Sequence, residues 1–129
     1  MLGFQSIGVN MNELLTPSQA EKTEENRLRD HVQHIVNSIE NGFSEELNED
    51  GEEFSAFDYL RDALDIEYIV SSKKEYLGAR VLVAFGGPNI WINTRTKQVE
   101  GYWWGDRCIL SYDNDAMDLD YALSELYNC

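Results

Sequence analysis

The spacing of apolar residues changes once along the 129-residue chain, and this change constrains the fold more than any other feature. Leu28, Val32, Ile35 and Ile39 recur at intervals of three and four, which is the period of one face of an α-helix. From Ile66 onward, runs rich in β-branched and aromatic residues alternate with short connections, as strands do. The two patterns predict one α+β domain, residues 1–129, with helices packed on the face of an antiparallel sheet.

Two helices are predicted before the sheet and one after it. Thr16-Pro17-Ser18-Gln19 is a typical helix start, and the first helix is expected over about residues 17–41. The second is expected over about 54–65 and the third over about 115–127. Residues 1–12 are predicted to be a short extended stretch. The apolar residues of the second and third helices that we expect to face the core are Phe57, Leu60, Leu64, Ala116, Leu119, Leu123 and Leu126.

Four strands are predicted, over residues 66–71, 77–85, 89–93 and 99–104. The segments between them are too short for a crossover helix, so each strand should pair with the next in the antiparallel sense. The sequence therefore predicts a four-stranded meander.

The negative charge is concentrated in two parts of the chain. The net formal charge is −14, yet residues 66–105, the predicted sheet, contain more bases than acids. Residues 40–65 contain ten acids and one base, and residues 106–129 contain six acids and one base. Repulsion from such a chain opposes the approach of a nucleic-acid backbone or an anionic membrane. A basic protein surface is the partner that this distribution favours.

One interpretation is that these acids imitate the phosphates of a nucleic acid. Asp58, Asp62 and Asp65 are expected on one exposed face of the second helix, where they would present a row of charge to a basic groove. The alternative is that the acids keep the protein soluble. Those just before the third helix would also interact favourably with the positive end of its dipole. The acids predicted to bind the partner are Glu45, Glu46, Glu49, Asp50, Glu52, Glu53, Asp58, Asp62, Asp65, Asp113, Asp115 and Asp118.

A second interpretation rests on the aromatic residues of the sheet. Alternation along a strand places Trp103 on one face and its neighbours Tyr102 and Trp104 on the other, where Trp91 could join them. If that face stays exposed, the three residues would be anchors of a protein interface. If a helix covers each face, they belong to the core.

Other kinds of site have little support. Aligning Gly51 with the invariant glycine of a calcium-binding EF-hand loop puts Phe57 where the bidentate glutamate must stand. His31 and His34 have no third ligand at a metal-binding spacing, and Cys108 and Cys129 form no zinc motif. The cysteines are expected to be reduced thiols in a cytoplasm. No catalytic motif is present, so we expect neither an enzyme nor a cofactor.

The C-terminal part of the chain, residues 79–129, resembles small, poorly characterised proteins of bacterial phages and plasmids. The residues that carry the resemblance are Val81–Trp91, Glu100–Trp104 and Glu125–Cys129. In its small size and acidity the chain is also similar to the anti-restriction and anti-CRISPR proteins of such elements. The resemblance implies an inhibitor of host defence that acts by direct binding, and it brings no catalytic residue.

These observations lead to one expected function and one alternative. The first is a non-enzymatic inhibitor in the bacterial cytoplasm whose DNA-mimicking acids bind a CRISPR effector or a restriction enzyme. The alternative is an immunity or regulatory protein that binds its partner through an exposed aromatic sheet face. Direct contact with nucleic acid or membrane is not expected, and the oligomeric state is left open, a dimer included.

Overall fold

The structure is a computed structural model that describes residues 17–43 and 46–129, with side chains from residue 26 onward. The predicted α+β class is confirmed, and the first helix has the predicted bounds. The extended stretch predicted for residues 1–12 and Thr16, the first residue of the predicted helix start, lie outside the described residues. Within them, no helix combines the length and apolarity that crossing a membrane requires. The elements are α1 (Pro17–Asn41), α2 (Ala56–Arg61), β1 (Asp65–Val70), β2 (Tyr76–Ala84), β3 (Asn89–Asn93), β4 (Gln98–Trp103), β5 (Asp106–Ser111) and α3 (Leu119–Asn128).

The sheet is an antiparallel meander in the order β1-β2-β3-β4-β5, so the prediction of four strands was wrong by one. The missed strand is β5, which pairs with β4 along its whole length. Trp104 and Gly105 form the turn between the two strands, with φ angles of 50° and 84°. A positive φ is uncommon for a bulky residue. The aromatic run Tyr102-Trp103-Trp104 therefore predicted a strand that continues through residue 104, and it concealed the hairpin.

Helices α1 and α3 pack on the same face of the sheet, α1 against β4 and β5 and α3 against β2. Helix α1 lies close to the backbone of β4 at Gly101, because a Cβ atom there would lie 2.5 Å from a methyl group of Val32 on α1. The largest side chains that are fully buried between the layers are Val32, Ile39, Val81, Ile90, Ile92, Val99, Leu119 and Leu123.

The second helix is shorter than predicted. Helix α2 ends at Arg61, and Asp65 is already the first residue of β1, where it lies opposite Leu82 of β2. Residues 62–64 connect α2 to β1, so the helix cannot extend to residue 65 as predicted. Leu60 is buried as predicted, whereas Phe57 and Leu64 are exposed.

The third helix begins later than predicted, at Leu119, because the carboxylate of Asp115 caps it. The oxygens of Asp115 accept hydrogen bonds from the backbone N–H groups of Leu119 and Asp120, each at 3.0 Å. Leu119 and Leu123 are buried as predicted. Ala116, before the helix, and Leu126, near its end, are exposed, contrary to the prediction.

Candidate functional site

The acidic loop between α1 and α2 has an ordered turn. The side-chain oxygen of Asn48 accepts hydrogen bonds from the backbone N–H groups of Asp50 and Glu52, at 2.9 and 3.0 Å. A β-bridge joins Leu47 to Glu53, and Gly51 supplies the positive φ that the turn requires. Internal hydrogen bonds thus hold the described part of the loop, and its acidic side chains are exposed. The exposed acids of this loop are Glu46, Glu49, Asp50, Glu52 and Glu53, while Glu45 lies outside the described residues.

The second acidic stretch is held against the same end of α1. The carboxylate of Glu40 accepts a hydrogen bond from the N–H of Asp113 at 2.9 Å, and the N–H of Ala116 donates to the carbonyl of Ile39 at 3.0 Å. The loop that carries the first stretch leaves α1 just after these residues. Two segments that are distant in sequence therefore meet at one end of the molecule. Asp113 and Asp118 are exposed there, and Asp115 is half-buried because it caps α3.

A groove lies where the two stretches meet, and Glu53 of the loop and Asp118 before α3 both line it. Its volume is about 410 Å³. Its apolar lining includes Phe43, Phe54, Phe57, Met117 and Tyr121. The rings of Phe43 and Phe54 meet edge to face at 4.8 Å. The groove was not predicted, because nothing in the sequence brings Phe54 and Tyr121 to the same site.

Asp58 does not belong to an exposed acidic face, and the predicted row of Asp58, Asp62 and Asp65 does not form. Only 8 % of Asp58 is exposed. Its carboxylate accepts hydrogen bonds from the N–H of Ser55 at 2.8 Å and from the guanidinium of Arg61 at 3.1 Å. The N–H of Ser55 is the main cause that holds the pKa of Asp58 below its usual value. Asp58 therefore caps α2, whereas Asp62 and Asp65 are exposed.

The predicted aromatic anchors are divided between two places. Trp91 and Tyr102 lie on the sheet face opposite α1 and α3, and both are half-buried. The guanidinium of Arg80 covers the ring of Trp91, 4.3 Å from its centre. Trp104 is not on that face, because its positive φ takes it out of the strand into the turn, where it is 83 % exposed.

The same sheet face holds a charged network that sequence analysis missed. Arg80 binds Glu100 at 3.1 Å and Glu67 at 3.3 Å, and the hydroxyl of Tyr102 donates to Glu100 at 3.1 Å. Glu100 is only 9 % exposed although no helix of the described chain covers this face. Glu67 and Arg80 are paired residues of β1 and β2, but Arg80 reaches Glu100 across the intervening strand β3. Periodicity gives no signal for a contact of that kind.

Metal ligands are not brought together in the part of the chain that the structure describes: no three His, Cys, Asp or Glu side chains are placed to hold an ion there. Cys108 and Cys129 are free thiols. Comparisons of the chain with protein-family models, with curated proteins and with solved structures gave no match. The resemblance to proteins of phages and plasmids therefore stays a prediction.

Proposed function

We propose that this chain is a non-enzymatic inhibitor from a mobile element that binds a nucleic-acid-handling defence protein of a bacterial host. The partner would be a CRISPR effector or a restriction enzyme. The binding surface, which we call the acidic end, would occupy the basic groove that normally holds DNA or RNA. Its exposed carboxylates belong to Glu46, Glu49, Asp50, Glu52, Glu53, Asp113 and Asp118.

One observation supports this proposal above all others: Glu53 and Asp118 line one groove although they are far apart in sequence. Carboxylates from both acidic stretches thereby contribute to the same local electrostatic field. A field of one sign raises the rate at which an oppositely charged surface associates and makes that rate sensitive to salt. Solubility alone would be served equally well by acids spread over the whole surface.

The acids assigned to the acidic end differ from the set that the sequence predicted to bind the partner. Asp58 is removed, because its carboxylate is committed to Ser55 and Arg61. Asp62 and Asp65 are exposed and are kept as secondary candidates. The charge offered to the partner therefore comes mainly from the loop and from the segment before α3.

A matched pair of triple variants tests the proposal. The first, Glu49→Gln/Asp50→Asn/Glu52→Gln, removes three charges from the acidic end. The control, Asp30→Asn/Glu67→Gln/Glu75→Gln, removes three charges from exposed positions outside both acidic stretches. Both are assayed as inhibitors of DNA cleavage by a panel of purified bacterial restriction enzymes and RNA-guided nucleases.

We expect the wild type to inhibit an enzyme of the panel, and to do so less well at high salt. Each exposed charge pair contributes about 0.2–1 kcal/mol, so with three charges removed the first variant should need about 3- to 150-fold more protein for the same inhibition. The control should behave as the wild type does. Equal potency of the two variants, or a panel that the wild type leaves fully active, would contradict the proposal.

The alternative, a regulatory or immunity protein that binds through the sheet face, has one observation in its favour. In the described chain no helix covers the face that holds Trp91 and Tyr102. Both rings are half-buried, however, and Arg80 already covers Trp91. Trp91→Ala should abolish binding under this alternative and leave inhibition unchanged under the first proposal.

A further inference from the structure

The groove at the acidic end has a shape and a lining that a purely electrostatic surface would not need. Met117 and Ala122 are buried at its base, with 3 % and 0 % of each residue exposed. Two rings that line it remain open to solvent, Phe57 at 43 % and Tyr121 at 62 %. A concave site of about 410 Å³ with aromatic walls is of the size that receives a compact apolar group.

The charges around the groove are of one sign. Glu53 and Asp118 line it, and none of its described lining residues is basic. Arg61, the one base of residues 40–65, is bound to Asp58 instead. An apolar floor with an acidic rim complements an apolar side chain that is flanked by cations.

We infer that this groove receives one aromatic side chain from a Lys- and Arg-rich segment of the partner protein. The inference rests on the proposed function, because it concerns the same acidic end. Grooves that bind single-stranded nucleic acid combine basic side chains with aromatic rings on which the bases stack. Such a ring would enter the groove, where the rings of Phe43, Phe54 and Tyr121 provide edge-to-face partners. The flanking cations would meet the carboxylates of Glu53 and Asp118.

A selection with a random twelve-residue peptide library on the immobilised full-length protein tests the inference. We expect enrichment of peptides in which an aromatic residue lies between Lys or Arg residues. A selected peptide is then labelled, and its affinity is measured by fluorescence anisotropy. Replacing its aromatic residue by Ala should weaken binding about tenfold or more, as loss of a buried anchor does.

Matched variants of the protein separate the groove from the general charge. Phe57→Ala and Tyr121→Ala should each weaken binding of the peptide about 5- to 10-fold, whereas Phe85→Ala should not. Phe85 is also exposed, at 71 %, and does not line the groove. Thermal melts of all three variants confirm that they are folded. Glu53→Gln/Asp118→Asn should weaken binding more than Asp30→Asn/Glu75→Gln does. Asparagine tolerates the left-handed backbone of residue 118.

The outcomes distinguish this inference from the function on which it rests. Selection of basic peptides without an aromatic residue, or equal losses in Phe57→Ala and Phe85→Ala, would overturn the groove assignment and leave nuclease inhibition standing. Enrichment of no basic peptide would also overturn it. Failure of the nuclease panel, with aromatic basic peptides still selected, would overturn the proposed inhibitor and keep the groove as a peptide site.

Discussion

Replacing Gly101 by alanine should destabilise the contact between α1 and the sheet. The added Cβ would lie 2.5 Å from Cγ2 of Val32 and 2.9 Å from Cδ1 of Leu28. Carbon atoms in contact prefer about 3.5–4.0 Å, so α1 must move outward by about 1 Å. Val32 and Leu28 are buried, 0 % and 4 % exposed, so neither side chain has solvent to move into.

Overpacking of this kind costs about 1–3 kcal/mol. For a chain of this length that corresponds to a decrease in Tm of about 3–15 °C. Thermal and urea unfolding followed by circular dichroism measure both quantities. Gly87→Ala is the control, since its added Cβ would lie 3.5 Å from Trp103, an ordinary contact, and we expect almost no change.

A double-mutant cycle with Val32→Ala shows whether the two residues interact as the distances indicate. Val32→Ala alone should cost about 1–3 kcal/mol, because it leaves a cavity. In the double variant the methyl group introduced by Gly101→Ala fills part of that space, so the combined loss should be smaller than the sum by about 1 kcal/mol. A neutral Gly101→Ala, or strictly additive losses, would refute the packing of α1 on β4.

Three further predictions concern titratable and charged groups. The ionised carboxylate of Asp58, whose pKa is lowered in the folded protein, stabilises the fold above the usual aspartate range, and this stability is lost as the pH falls through the lowered pKa. Asp58→Asn should therefore be less stable than the wild type in urea at pH 7, and the difference should shrink as the pH is lowered below about 4. Arg80→Met leaves the carboxylate of Glu100 without its cation and should cost about 1–3 kcal/mol in urea unfolding. Glu100→Leu added to Arg80→Met should restore part of that loss. Burial raises the pKa of the Tyr76 hydroxyl, so stability should fall as the pH rises above about 10, and less so in Tyr76→Phe, as melts at about pH 9 and pH 11 would show.

The sequence predicted those elements in which apolar residues keep a regular spacing over many residues. The stripe from Leu28 to Ile39 predicted a helix, and Thr16-Pro17-Ser18-Gln19 predicted where α1 begins. The short connections predicted the antiparallel meander. β5 was missed because the turn before it places Trp104 at a positive φ, a conformation that the residue type does not indicate. Local pattern therefore predicted regular elements and failed where the backbone departs from ordinary geometry.

Only the acidic residues of the candidate site could be predicted from the sequence, and not their arrangement in space. The two acidic stretches are visible in the sequence, but their meeting depends on how the segment of Asp113 packs against Glu40. Asp58 was misplaced because an acid near the start of a helix can either face solvent or cap the helix, and spacing alone does not distinguish these roles. The groove between Glu53 and Asp118 arises from tertiary packing and has no sequence signal.

The central claim is that the acidic end replaces nucleic acid in the groove of a defence enzyme. The most direct measurement is inhibition of one responsive nuclease at increasing concentrations of an uncleavable DNA duplex that the enzyme binds. If the protein and the DNA occupy the same groove, the concentration of protein needed for half-inhibition should rise in proportion to the DNA. A half-inhibitory concentration that is independent of DNA, with protein, enzyme and DNA in one complex, would contradict the account.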